Sequence, residues 1–281
     1  MSEVKKVYIS ADIEGMEGVV SRNQTTRGKG DFELARRRLT YDVNEAVRAA
    51  VDCGAEEVVV SEGHADMEVL LFDELHPSAD LISGAMCTNL QLEGIDEGYD
   101  ALIIFGHAGG GMTLKGVLDH TFNGRSIHGM RINGTVINTE AVCNAVIAGH
   151  YGVPLVAVIG DQAVVDEVHS YLPSCEGIVV KEGRTRLSAR SVNPIRAREM
   201  VYSGVCKALR ELDQKDILVL EEPMTLEIDF NYSNTADVAE LVPGVNRISP
   251  RSISYTGTAE DVFRLQTLLI AYLVDEYPFG F

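Results

Sequence analysis

Basic residues are scarce in this chain: 24 Lys and Arg stand against 42 Asp and Glu, a formal net charge of −18 over 281 residues. Nucleic acids and anionic membrane surfaces both require the opposite balance, so neither is expected as a partner. No apolar stretch reaches membrane-spanning length, and Met1–Lys6 leads into the first apolar run without a charged-then-apolar leader, which predicts a cytoplasmic protein. The five cysteines (Cys53, Cys87, Cys143, Cys175, Cys206) are odd in number and scattered without CxxC spacing. They read as reduced, mostly buried thiols, neither a disulfide frame nor a zinc ribbon. Repeats, low-complexity tracts and a Pro/Ser-rich linker are missing as well. So is a phosphate motif: the glycine-rich run Ala108–Lys115 is neither GxxxxGK[ST] nor a strand-linked GxGxxG. Its glycines suit close backbone approach to a small substrate, or a mobile lid.

What remains is ordinary globular material, 46% hydrophobic and 23% charged. Its pattern predicts an α/β fold: a mostly parallel sheet with flanking helices that carries the site, plus a smaller packed α+β lobe. Lys6–Ala11 reads as a strand, Phe32–Cys53 as a helix closed by Gly54, and Glu56–Ser61 as a second buried strand, a βαβ unit. Further strands are expected at Asp80–Ser83, Asp100–Phe105 and Pro154–Ile159, with a short helix or turn at Leu90–Gly98. A hairpin of Ser126–Ile132 and Thr135–Ile137 should turn at Asn133-Gly134. Helices are expected from about Glu140 to Gly149 and over Ala163–Tyr171, the second with Asp161 as its cap. Residues 1–177 then form the metal-binding lobe, with a hairpin insertion at about 112–137. Residues 178–281 form the second lobe: a helix from Pro194 to Leu212, the strand Leu226–Phe230, a helix over Thr235–Leu241, a strand over Arg247–Tyr255 and a terminal helix over Ala259–Tyr277.

The chemistry collects at strand ends. Asp12 and Glu14 stand two apart in VYISADIEGMEG, so an extended segment points both the same way. Two such anions repel unless a proton or a cation lies between them. His64 follows the second strand and His107 the third, and in a parallel sheet those carboxyl ends share the edge where ligands bind. Glu140, in the first turn of a helix, is a fifth candidate, although a helix N-terminus also welcomes a carboxylate on its own account. Singly, each residue has a plain structural role to play; three strand ends carrying ligand-type residues together favour a metal. Mixed carboxylate and imidazole donors suit Zn²⁺, with Mn²⁺ or Co²⁺ as substitutes, and five ligands fit two ions about 3.5 Å apart better than one. Such a site activates water for hydrolysis. His120, beyond the glycine-rich loop, could fold back over it as general acid or base, or could be a simple hydrogen-bonding residue. His76, His150 and His169 read as structural or surface residues. Lys181 and Arg186 could pair a peptide carboxylate, or lie on a solvated face.

The same residues carry a family resemblance. Ser10–Gly15, the strand ending in His64, Leu75-His76-Pro77 with Ala79–Gly84, Gly106-His107-Ala108, Gly116-Val117 with His120, and Ile132-Asn133-Gly134 leading to Glu140 resemble the zinc-dependent D-aminopeptidases of bacterial dipeptide-transport operons. The likeness covers nearly the whole chain; its His107-to-His120 loop is longer and richer in glycine than the family pattern. The resemblance implies two zinc ions per subunit, bridged by Asp12, with Glu14 and His64 on one and His107 and Glu140 on the other, and His120 as the catalytic histidine. It implies release of N-terminal D-amino acids, D-alanine in particular, from short peptides. It also implies a large ring-shaped homo-oligomer, such as a decamer, with sites facing an inner chamber. Two other classes stay open at this point: a metal-dependent hydrolase for L-peptides or other amides, and a non-enzymatic metal- or peptide-binding protein.

Overall fold

A computed structural model describes residues 4–85 and 88–272. β1 (Lys6–Ala11) is followed by the short helix α1 (Arg22–Thr25), the long helix α2 (Phe32–Asp52), β2 (Glu57–Glu62) and β3 (Ala79–Ile82). β4 (Ala101–His107) precedes the hairpin β5 (Ile127–Ile132) and β6 (Thr135–Val136), then α3 (Glu140–His150), β7 (Leu155–Asp161) and α4 (Gln162–Tyr171). A second hairpin, β8 (Glu176–Thr185) with β9 (Ser188–Ser191), leads to α5 (Pro194–Arg210). β10 (Met224–Phe230), α6 (Ser233–Ala239), β11 (Asn246–Ser249), β12 (Ser252–Gly257) and α7 (Ala259–Thr267) follow.

The strands form two sheets. The larger has seven strands in the order β3-β2-β1-β4-β7-β8-β9, parallel throughout except for β9. The smaller is antiparallel, in the order β11-β12-β10-β5-β6. Burial explains the difference in their sequences. β4 and β7 are buried at every position, as a strand covered on both faces must be, and read as unbroken apolar runs. Alternate residues serve opposite cores: Tyr8, Leu102 and Ile104 pack with α3, α4 and the small sheet, while Val7, Ile9 and Ile103 pack with α2 and α5. β10 alternates instead, burying Met224, Leu226, Ile228 and Phe230 and half-exposing the residues between.

The sheets draw on the chain out of order. β8 and β9, over residues 176–191, extend the large sheet, while β5 and β6, from the middle of the chain, pair with β10 in the small one. The Asn133-Gly134 turn has both φ values positive, +51° and +77°, as a two-residue hairpin of right-handed twist requires. One expected strand divides: Arg247–Tyr255 contains a turn at Pro250-Arg251, and its halves pair with each other as β11 and β12. Leu90–Gly98 holds two 3₁₀ turns, Leu90–Leu92 and Ile95–Glu97. α7 passes into a π-helical turn over Leu268–Tyr272; the expected continuation to Tyr277, like Cys87, lies outside the described residues.

Candidate metal centre

β1, β2 and β4 are adjacent and parallel, so their carboxyl ends form one edge. Asp12 leaves β1 there, His64 lies two residues past β2, and His107 closes β4. The turn after β1 is pressed onto the end of β4: Asp12 N donates to Phe105 O at 2.8 Å and Gly15 N to Gly106 O at 2.5 Å. Two glycines make this contact possible. A Cβ on Gly15 would lie 2.1 Å from His107 O, and one on Gly106, already left-handed at φ +72°, would lie 2.0 Å from Asp12 O.

Asp12 presents a different oxygen to each half of the site. Its Oδ1 lies 3.1 Å from His64 Nδ1, which in turn is 2.9 Å from Glu14 Oε2. Its Oδ2 lies 3.8 Å from His107 Nδ1, which is 3.1 Å from Glu140 Oε2. Two triads, Asp12/Glu14/His64 and Asp12/His107/Glu140, therefore share one carboxylate, and all five residues are buried or nearly so. In both rings Nδ1 is the nitrogen turned to the acids. The other nitrogens are engaged outside the cluster, His64 Nε2 with Thr25 O at 2.6 Å and His107 Nε2 with Ser10 Oγ at 3.1 Å. This is how a ligating imidazole is usually held: a second contact fixes the tautomer that leaves the inner nitrogen free.

The electrostatics test whether a cation fits. Burial, then the neighbouring Glu14 charge, pushes the Asp12 carboxyl up to about 6. Burial also opposes the charge on Glu14, yet His64 outweighs it and holds that carboxyl well below its ordinary range. His64 and His107 are raised: burial disfavours their protonation, and the surrounding carboxylates overcome it. Three buried acids thus favour positive charge at this place. Glu14 Oε2 has no hydrogen bond, its contact with His64 being one of charge and not of aligned N–H. An anionic pocket with an unpartnered oxygen and two oriented imidazoles fits two zinc ions.

His120 reaches the same place. The segment before it carries non-glycine residues in left-handed conformation at Met112, Lys115 and Leu118, and Phe122 follows suit. Its Nδ1 donates to Leu118 O at 2.9 Å, and its Nε2 lies 3.5 Å from Glu140 Oε1. Burial opposes its protonation, but Glu140, Glu14 and Asp12 raise its pKa. The glycine-rich loop is pinned in place: Gly110 N and Thr113 Oγ1 both donate to Glu167, and a Cβ on Gly110 would meet the Asn138–Thr139 backbone at 2.6 Å. Its close approach is to the start of α3. Asp12, Glu14, His64, His120 and Glu140 line a cavity of about 780 Å³ with Arg22 at its margin, and His107 lies fully buried behind them.

Some of the supporting residues carry no sequence signal. Gln91 donates to Glu140 Oε2 and to Gly63 O and accepts from Asn144, tying α3 to the end of β2. Ser10 is legible after the fact, since it lies two before Asp12 on the same side of β1. Lys181 is a correction: it is 1% exposed, on neither a solvated face nor the cavity wall, and its Nζ donates to Glu14 O at 2.5 Å and Val19 O at 2.8 Å. Burial pushes its amine down to about 8 against the pull of Asp161 and Glu14. Leaving such a donor unpaired would cost about 1–3 kcal/mol or more, so the two carbonyls are what make its burial possible. Arg186 is exposed but paired, Nε to Asp119 Oδ1 at 2.7 Å. His76 accepts from Ser78 N and His169 pairs with Cys175 O, both in structural roles, and Asp161 caps α4 through Val164 N.

Comparison with known proteins places this geometry. The family model described as Peptidase_M55, D-aminopeptidase, matches residues 5–268. A D-aminopeptidase of Bacillus subtilis (strain 168) is 30% identical over 270 residues, covering 95% of this chain and 94% of the relative. The solved structure of the Zn-dependent D-aminopeptidase DppA from Bacillus subtilis, described as a self-compartmentalizing protease, superposes with a TM-score of 0.92 at 26% identity, covering 98% of this chain and 100% of that one.

Proposed function

We propose a division of labour within this site from one premise: the chain belongs to the Peptidase_M55 family of D-aminopeptidases and is a zinc metallo-aminopeptidase acting on short peptides. Asp12 would hold both ions; Glu14 and His64 would complete the first, and His107 and Glu140 the second. When bound, the zinc pair supplies a water acidic enough to act as nucleophile at neutral pH and polarises the scissile carbonyl. His120 handles protons at Nε2, the atom its Leu118 hydrogen bond leaves free, and returns one to the departing amine. The site's acids and imidazoles are buried, so water reaches them only from the cavity side. The observation that carries this reading is the sharing of Asp12, Oδ1 toward one triad and Oδ2 toward the other.

N-terminal D-residues, D-alanine first among them, are the proposed substrates. The carboxylate of a short peptide would meet Arg22, which lines the cavity and makes no ion pair among the described residues, whereas Lys181 is buried on two carbonyls and Arg186, on the same cavity wall, is already paired with Asp119. A large ring-shaped homo-oligomer, such as a decamer with the cavity opening inward, is supported by the self-compartmentalizing description of the solved relative. A cytoplasmic setting is supported by the free thiols at Cys53, Cys143, Cys175 and Cys206; no helix among the described residues is long and apolar enough to cross a membrane. Zinc analysis of the purified protein, sedimentation for particle mass, and hydrolysis of matched D- and L-alanyl dipeptides test the reading together. About two zinc ions per chain and selective release of D-alanine are expected; selective cleavage of the L-series would overturn it.

A further inference from the structure

The β8–β9 hairpin touches both the loop that carries Asp12 and Glu14 and the segment that leads to His120, and contributes no candidate ligand itself. At its stem, Lys181 Nζ bridges Glu14 O and Val19 O, closing the loop that begins with Asp12, and Ser191 Oγ accepts from Gly18 N at 2.9 Å in the same loop. At its tip, Arg186 O accepts from Leu118 N at 2.8 Å, and the Arg186 guanidinium grips Asp119 twice, through Oδ1 at 2.7 Å and through its carbonyl at 3.0 Å. Leu118 is the residue whose carbonyl orients His120. Between stem and tip the contact stays close: a Cβ on Gly183 would fall 1.8 Å from Lys115 O, so only glycine lets the two segments lie together. A strand rises about 3.3 Å per residue, which separates Lys181 from Arg186 by about 16 Å along the hairpin.

We propose that the β8–β9 hairpin is a strut that sets the spacing between the metal ligands and His120, with Lys181 and Ser191 positioning the Asp12–Glu14 loop and Arg186 positioning the His120 segment. The two segments are far apart in the chain, and this hairpin hydrogen-bonds to both. Its residues act through others; none is a catalytic residue. The strut rests on the reading of Asp12, Glu14 and His120 given above, and it predicts that its two ends fail differently. Loosening the stem disturbs ligands, whereas loosening the tip disturbs only the proton-handling group.

Three variants and a chelator competition separate these outcomes. Lys181→Met should weaken zinc affinity about tenfold or more, in the range seen when an outer contact to a ligand is removed. Ser191→Ala, which removes one acceptor and leaves the buried amine in place, should weaken it by a smaller factor and decides the matter if Lys181→Met fails to fold. Arg186→Ala should bind zinc as the parent does yet lose kcat about tenfold with KM little changed, and Arg186→Lys should restore part of the loss. Parent-like zinc affinity in the stem variants overturns the strut. So does a parallel fall of zinc affinity, kcat and melting temperature in Arg186→Ala, the signature of a plain scaffold. Failure of the underlying site reading would show elsewhere, as a His107→Ala protein that keeps its zinc.

Discussion

At His64 a single ring nitrogen faces two acids: Nδ1 lies 3.1 Å from Asp12 and 2.9 Å from Glu14, while Nε2 is turned away to Thr25 O. At His150 the ring lies between its acids, Nδ1 3.8 Å from Glu222 Oε1 and Nε2 3.3 Å from Glu260 Oε1. Both places gather one histidine and two carboxylates within a few ångströms. They differ in convergence and in burial: the side chains of Asp12 and Glu14 are 2% and 9% exposed, those of Glu222 and Glu260 43% and 46%. An imidazole offers an ion one nitrogen, so a ring whose two nitrogens serve two acids is a surface ion-pair network and not a ligand set. The second nitrogen decides which kind of cluster a histidine has made. A third place, Glu17 beside Asp42, has buried acids and no imidazole; there burial and the Asp42 charge push the Glu17 carboxyl up to about 8. Arg198 Nε pairs Asp42 Oδ1 at 2.6 Å, and Glu17, facing that carboxyl without a cation of its own at contact, is the acid whose neutral form is favoured.

The contrast can be broken most severely at Asp12. Asp12→Ala removes the carboxylate both triads share, so zinc content by elemental analysis should fall toward zero and kcat/KM by about 10³-fold or more. His120→Ala should retain both ions and lose about 10²- to 10⁴-fold in kcat; a variant that turns over like the parent would remove His120 from the chemistry. Glu17→Gln should leave zinc untouched and change the pH dependence of stability. The folded-state pKa of Glu17, about 8, lies above its ordinary 4.5. The proton is therefore held by both states at low pH, only by the folded state between those values, and its contribution to stability is lost as pH rises through about 8. Melting temperature followed from about pH 4.5 to 8.5 should fall less steeply in the variant than in the parent. The smallest effect belongs to His150→Ala: unchanged zinc and a stability change within about 1 kcal/mol, as an exposed pair contributes. Zinc loss there would erase the distinction between the two histidine clusters.

The candidate cluster was legible because the large sheet is regular. Apolar strands that stop at Asp12, His64 and His107 announce their carboxyl ends, and parallel order brings those ends together. Glu140 was legible as the first residue of a helix and ambiguous for the same reason. His120 could be flagged but not placed, because its loop depends on left-handed Met112, Lys115 and Leu118, which no local propensity signals. Lys181 misled: a lysine beside a basic, polar stretch suggests solvent, whereas β8 is a covered strand there and two carbonyls await the amine. Pro250, which cannot donate to a ladder, was the unread sign that Arg247–Tyr255 would fold back on itself. The exchange of strands between the sheets was beyond reach, since pairing β5 with β10 depends on contacts about a hundred residues apart.

Gly15 and Gly106 face the backbone carbonyls of two candidate ligands, Gly15 against His107 O and Gly106 against Asp12 O. Neither has a side chain to offer a metal or a peptide. In a saturation scan scored on growth or turnover, both columns should nonetheless be as intolerant as those of Asp12 and His107, with alanine as damaging as tryptophan, because the first added carbon already separates the two segments. The functional footprint of this site in mutational space is therefore wider than its set of reactive groups, and includes two residues identifiable only by what they leave out.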